Sequence, residues 1–276
     1  MLSDRTRDRP DLKVLKCLHC GLIFLENFKH ISDEFYENSG MHAGKDGASL
    51  EIHNLRQDSL ADDERRVALF KDRMARKSVL DFGSGWGGFI SLMTQRKITD
   101  AIKGIELETK YRDYMRESEN QDIRKNIEDF KEKFDFITLF HCAEHLPDPA
   151  AMLARLGELL NPKGEIIVEV PSGEDALIAL YKNPAYIAFT LWSCHLYLFN
   201  PSNVRLLARK TGLKLKDSFQ VQRYPLSNHL YWLSKGKPGG HKEWSFLNNP
   251  ALQALYEGEL AKQGKCDTLI FTLVKA

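Results

Sequence analysis

Short apolar runs alternate with amphipathic stretches through most of this chain. Residues 78–80, 101–105, 135–140 and 165–170 each read as a strand. The run at 135–140 (DFITLF) is apolar on both faces, the signature of a parallel strand covered on both sides. Between these runs, 89–93, 109–119 and 150–160 carry apolar residues at helical spacing. A further helix is predicted over 203–210, entered through Asn200-Pro201-Ser202 and ended by Gly212. Residues 213–222 and 268–274 (TLIFTLV) complete the strands. Upstream, Leu60, Val67, Leu69, Phe70 and Met74 predict one or two helices over 50–76. Strands and helices in regular alternation predict an α/β fold.

The stretch KSVLDFGSGWGGF (77–89) carries the most chemistry. A buried strand ends at Asp81, breaks into glycines and continues as a helix. This layout brings backbone N–H groups and a helix N-terminus up to a ligand. Gly83, Gly85 and Gly88 satisfy G-x-G-x-x-G, so a dinucleotide site is considered first. Asp81 argues against it, because a carboxylate one residue before the first glycine repels a pyrophosphate. The same carboxylate suits a ligand with an ammonium or sulfonium group and no phosphate. Glu106 stands at the end of the next strand, where an acid can accept both hydrogen bonds of a ribose diol.

VLDFGSGWGGF, IKGIELE, FDFITLFHCAEHLPDP and LNPKGEIIVEVPS, in that order over 77–172, resemble the successive motifs of class I S-adenosylmethionine-dependent methyltransferases. The resemblance implies a Rossmann-like sheet of seven strands with the last antiparallel, and S-adenosylmethionine as cofactor. It implies that Asp81, Gly83 and Gly85 hold the methionine moiety and that Glu106, followed by Leu107, takes the ribose. Residues 124–130 fall where the family has a short third strand and an adenine contact, so Asn126 and Ile127 are assigned to adenine, with Cys142 on the same side. His141 lines the cofactor pocket in this reading.

Residues 14–24 resemble half of a zinc ribbon, with Cys17 and Cys20 in a C-x-x-C-G knuckle. Structural zinc takes four ligands, and Cys142, Cys194 and Cys266 lie elsewhere in the chain, so a metal-free hairpin is expected here and no metal ligand is assigned. Residues 1–60 are read as an N-terminal cap and 61–276 as the methyltransferase domain. The resemblance places an F-Y segment such as that of Tyr36 over the cofactor, and Tyr36 is a candidate substrate-binding contact; alternatively it docks the segment on the core. Two connections are enlarged, 171–202 and 223–266, and together they are expected to form a substrate lobe inserted before the last strand. His195, Tyr224, Asn228, Trp232 and His241 are its candidate acceptor contacts, since aromatic faces with directional polar groups suit a hydroxyl-rich ring. Packing as a second small core is the alternative.

A hydroxyl acceptor must lose a proton, and a histidine is the natural base near neutrality. His145, His195, His229 and His241 are the candidates, of which His145 and His229 are assigned as catalytic, His145 also being open to a structural role. Composition narrows the partners. With 39 basic and 38 acidic side chains among 276 residues, the net charge of +1 gives no electrostatic case for nucleic acid. No apolar run reaches the ~18 residues of a membrane span, so a soluble cytoplasmic protein with a small-molecule acceptor is expected. By analogy with sugar methyltransferases carrying a similar N-terminal segment, the acceptor is read as a sugar or nucleotide-linked sugar of a surface polysaccharide. The alternatives are a quinone or other small metabolite, or a silent module that binds cofactor without turnover.

Overall fold

The computed structural model describes residues 1–32, Phe35 and 52–276; Tyr36 lies outside them. In chain order the strands are β1 (Val14–Lys16), β2 (Ile23–Leu25), β3 (Ser78–Phe82), β4 (Ala101–Ile105), β5 (Ile123–Arg124), β6 (Phe134–Phe140), β7 (Leu160–Pro171), β8 (Tyr197–Leu198), β9 (Leu213–Val221) and β10 (Thr268–Lys275). The main helices are α1 (Ile52–Met74), α2 (Gly88–Gln95), α3 (Thr109–Glu119), α4 (Pro149–Glu158), the short α5 (Ala176–Ala179) and α6 (Pro184–Thr190), and α7 (Pro201–Thr211). Then come α8 (Leu226–Lys235), the single turn α9 (Gly240–Glu243) and α10 (Pro250–Lys262).

Seven strands form the central sheet in the order β5-β4-β3-β6-β7-β10-β9. β10 runs antiparallel to both of its neighbours, and the pairs from β5 to β7 are parallel. This is the expected seven-stranded sheet with an antiparallel last strand. From β3 the chain builds outward first through β4 and then, on the other side, through β6. Ligands of open α/β sheets bind at the carboxyl ends flanking such a reversal, and that edge carries Asp81, Glu106 and His141.

Helices cover both faces, which is why the central strands are apolar throughout. Val67, Phe70 and Met74 of α1 pack with Phe89 and Met93 of α2 on Val79, Phe136 and Ile270. Leu153 and Leu156 of α4 and Val204 and Leu207 of α7 pack on the opposite face against Leu139, Val168 and Phe271. Asn200 caps α7, accepting from the N–H groups of Ser202 and Asn203 at 2.9 and 3.0 Å, and Gly212 ends it with φ of 73°.

Of the one or two helices expected before β3, the structure holds one, α1, running from Ile52 to Met74. It differs from the sequence reading in two local places. Asn161–Gly164 does not separate helix from strand; it bulges out within β7, because Phe134 pairs with Leu160 and Phe136 already pairs with Glu165. The third strand shrinks to Ile123–Arg124, and Ile127–Asp129 is a 3₁₀ turn.

At the site edge, Thr268 of β10 pairs with both Pro171 and Val221. Both enlarged connections therefore leave the sheet at one end. The first makes contact with the N-terminal segment: β1, β2 and β8 form a small antiparallel sheet. Arg7 stacks over Trp192 at 4.5 Å, Asp8 accepts from the N–H of Ser193 at 3.0 Å, and His30 Nε2 lies 2.9 Å from the Ser193 carbonyl.

Candidate active site

A cavity of about 740 Å³ opens at the carboxyl edge of β3, β4 and β6. Its floor is the glycine turn. Gly83 has φ of +76°, and a Cβ there would stand 2.6 Å from Cys142 Sγ, so only glycine fits between β3 and the loop after β6. Gly85, also at positive φ, faces open space on the cavity. Gly88 serves packing, since a Cβ would stand 2.1 Å from the Asp63 carboxylate of α1.

Glu106 spans this floor. Its Oε2 accepts the Gly85 N–H at 2.7 Å and its Oε1 the Glu108 N–H at 2.8 Å. Burial raises its pKa, only partly offset by those two N–H groups. Asp81 is buried and accepts from the Thr138 hydroxyl at 2.6 Å. Burial outweighs that bond and pushes the Asp81 carboxyl up to about 7. Leu107, Asn126 and Ile127 line the wall beyond Glu106, with Asn126 exposed and Ile127 buried.

Opposite lies the loop after β6. His141 adopts φ of 52° and places Nδ1 3.2 Å from Glu144 and Nε2 3.0 Å from Arg223 Nη1. Burial and Arg223 lower its pKa, but the bonds to Glu144 and Glu169 more than compensate, so the net shift is upward. Glu144 is fully buried; despite burial, the His141 bond and the neighbouring imidazoles hold its carboxyl below the usual range. His145 Nδ1 lies 2.6 Å from the Cys194 carbonyl and so donates to it, and its Nε2 is 3.9 Å from Glu144. His195 stacks obliquely on His145 with ring centres 5.1 Å apart, and burial pushes its pKa down to about 3.

The remaining lobe assignments are corrected by the structure. Tyr224, Asn228, His229, Trp232 and His241 are not among the residues lining the cavity. His229 is buried between Tyr256, whose hydroxyl is 2.7 Å from Nδ1, and Gln222, whose amide is 3.1 Å from Nε2. Both ring nitrogens are occupied, and burial lowers the pKa to about 4, so His229 is not placed to act as base in the cavity. Trp232 packs edge-on to Tyr186 and against Phe189, each at 5.2 Å. Asn228, His229 and Trp232 are thus buried inside the lobe, while Tyr224 stays exposed beside His241.

Asp62, Asp63 and Arg66 of α1, with Trp192 and Arg223, also line the cavity and escaped the sequence reading. Arg66 and Arg65 both donate to Glu169, a fully buried acid near the carboxyl end of β7. Arg223 pairs with Asp62 at 2.9 Å through Nε. A signal existed: Glu169 interrupts an apolar strand, and Asp62, Asp63, Arg65 and Arg66 sit at i, i+3 spacing beside Val67. Buried positions keep charges only when paired.

A family model described as "Methyltransferase domain" matches residues 53–217, more than half of the chain. The chain belongs to the methyltransferase-domain family. The methyltransferase is 27% identical over 176 residues to the ubiquinone biosynthesis O-methyltransferase of Acinetobacter baylyi, a match covering 58% of this chain and 73% of the relative. Its likeness to the enzyme of that name from Hydrogenovibrio crunogenus is 23% over 221 residues, 73% of this chain and 84% of the relative. In fold it is similar to a SAM-dependent methyltransferase from Archaeoglobus fulgidus, with a TM-score of 0.53, 17% identity, and coverage of 80% of this chain and 94% of that one. A SAM-dependent methyltransferase from Thermotoga maritima, titled a possible histamine N-methyltransferase, gives 0.52 at 18%, covering 82% and 96%.

The methyltransferase is thus a class I, SAM-dependent enzyme with S-adenosylmethionine as its cofactor. The residues present fit that group. Gly85 leaves a cradle that any side chain would fill, Asp81 and Glu106 place acids at adjacent strand ends, and the cavity has the volume of a small-molecule site.

Proposed function

We propose that this methyltransferase methylates a hydroxyl group on a small ring-bearing acceptor, with His145 taking the proton. One observation carries the reading. His145, oriented by the Cys194 carbonyl and backed by Glu144, lines the same cavity as the Asp81 glycine turn. When bound, S-adenosylmethionine supplies an electrophilic methyl group on a sulfonium. In this reading Asp81, Gly83 and Gly85 hold the methionine end, Glu106 and Leu107 the ribose, and Asn126, Ile127 and Cys142 the adenine side. His141 is fixed between Glu144 and Arg223 and shapes the wall between cofactor and acceptor. His145, its Nδ1–H committed to Cys194, presents Nε2 as the acceptor of the hydroxyl proton. Ile31 and Ser32 from the N-terminal segment and Trp192 from the first enlarged connection close the acceptor side and exclude water. Residues 1–32 would then act as a brace for that connection rather than as a separate module.

The likeness to ubiquinone biosynthesis O-methyltransferases supports a phenolic or quinol ring over the surface-polysaccharide sugar expected from the sequence. A second reading, a nucleotide-linked sugar, is favoured by the lining itself, where the polar side chains of His141, His195, Asp62 and Arg223 accompany the Trp192 ring. Supplying purified protein with S-adenosylmethionine and either a catechol or a nucleotide-linked sugar, and measuring S-adenosylhomocysteine and methylated product, separates the two. Cofactor binding with no product from any hydroxyl acceptor would leave the silent binding module as the better reading.

A further inference from the structure

Three donor groups converge on the acceptor side of the cavity: the Glu144 carboxylate and the imidazoles of His145 and His195, with ligating atoms all within 4.8 Å of one another. We infer that they form a binding site for one divalent transition-metal ion. The inference deepens the proposed function, on which it rests for the ion's role, because proton removal was assigned to this same cluster.

Two atoms of the cluster lack what their burial demands. Glu144 is 0% exposed and its Oε2 has no hydrogen-bond partner, and the buried Nδ1 of His195 has none either. Buried polar atoms are paired as a rule, and while Glu144 Oε1 meets His141, its Oε2 is left without a partner. An ion ligated through these two atoms would satisfy both. His145 adds an orientation argument. Its Nδ1–H donates to the Cys194 carbonyl at 2.6 Å, which leaves the in-plane lone pair on Nε2. Histidines that bind metals are held in this way, with the distal N–H given to a backbone carbonyl.

The scaffold is stiff. Glu144 and His145 share the 3₁₀ turn Ala143–His145, and the Leu196 N–H donates to the Glu144 carbonyl at 2.9 Å. That bond ties the two ligand-bearing segments together one residue from His195. Bonds of about 2.0–2.2 Å to a first-row metal place neighbouring donors roughly 3–4 Å apart, so the groups need to close by only about an ångström. Two imidazoles and one carboxylate suit zinc, cobalt, manganese or iron(II) better than magnesium or calcium, which take oxygen ligands. Three protein ligands leave positions open, and His145 and His195 line the cavity. An acceptor hydroxyl placed against the ion would give up its proton to water more readily, with His145 then serving as ligand instead of base.

The test uses the full chain with Cys17→Ser and Cys20→Ser, so that the N-terminal knuckle takes no part. Chelator-stripped protein is titrated with Co²⁺ for visible d–d absorption, and with Zn²⁺ by calorimetry and thermal unfolding. One ion per chain, a Tm raised by Zn²⁺, and at least a tenfold weaker affinity in both Glu144→Gln and His195→Ala would support the site. His195→Ala keeps the measurement decisive if Glu144→Gln does not fold. No d–d bands and no Tm shift in the folded parent would overturn it, as would binding that both variants leave unchanged. Methyl transfer is not read in these titrations. Failure of the acceptor assignment therefore leaves the metal result standing, and absent metal leaves the methyltransferase assignment standing.

Discussion

Glu106 Oε2 accepts the backbone N–H of Gly85 at 2.7 Å, so the acid assigned to the ribose also holds the turn assigned to the methionine moiety. In that assignment the two halves of the cofactor site are coupled through one carboxylate. Its other oxygen takes the Glu108 N–H, and each oxygen retains a second lone pair for a ligand hydroxyl.

Glu106→Ala should weaken S-adenosylmethionine binding by about 1.5–3 kcal/mol, the worth of a charge-assisted hydrogen bond, and more if the turn loosens as well. Glu106→Gln should recover part of the loss, because the amide oxygen can still accept from one N–H. Calorimetry giving equal affinity for Glu106→Ala and the parent would remove the ribose assignment.

Asp81 sets a pH dependence. Its folded pKa of about 7 lies above the ordinary 3.8 because burial disfavours the charge. The folded state thus holds a proton that the unfolded chain releases. Asp81 favours folding below about pH 4, and that contribution is lost as pH rises toward 7. Cofactor affinity should run the other way and strengthen from pH 6 to 8, since a cationic ligand prefers the ionised carboxylate. Calorimetry in buffers of different ionisation enthalpy should show proton release on binding. Asp81→Asn should flatten both profiles; a parent profile already flat would refute the assignment.

The two candidate histidines should separate cleanly. His145→Ala is expected to lower kcat/KM for the acceptor by about 10²–10⁴-fold, the usual worth of a positioned base, with partial recovery at high pH. His229→Ala should leave kcat/KM near the parent value. It should instead cost about 1–3 kcal/mol of stability, because Tyr256 and Gln222 lose a buried partner. A catalytic collapse in His229→Ala with an unchanged melting curve would return the lobe to the reaction.

Glu169→Gln tests the buried charge network. Arg66 donates to Glu169 from Nε at 3.1 Å and Nη2 at 2.7 Å, and Arg65 adds two bonds of 2.9 and 3.0 Å. Neutralising the acid leaves guanidinium charge without its partner inside the protein, a loss of about 3–5 kcal/mol. Thermal unfolding at neutral pH should fall by on the order of 10 °C. A shift under about 2 °C would mean that Asp62 and Asp63 suffice for both arginines.

The order of elements was legible in the chain because backbone pairing and burial repeat with short periods. The apolar run at 135–140 can be covered only on both faces, and Asn200 and Gly212 bound a helix by local geometry alone. The glycine turn was legible for a related reason: a tight turn after a strand needs positive φ, which Gly83 and Gly85 supply, whereas Asp81 and Glu106 were singled out by ligand chemistry and by the family resemblance. The acceptor side was not. Trp192 and His195 reach the cavity because the N-terminal strands pair with β8 and Arg7 stacks on Trp192, contacts between segments more than 160 residues apart. His229 sits among the same kinds of neighbour in sequence, yet packing turned it inward onto Tyr256 and Gln222. Which histidine meets the cavity, and which acids of α1 pair with Arg66 and Arg223, was decided by side-chain packing and charge pairing across the sheet. No local pattern encodes either, because both depend on distances that exist only once the chain has folded.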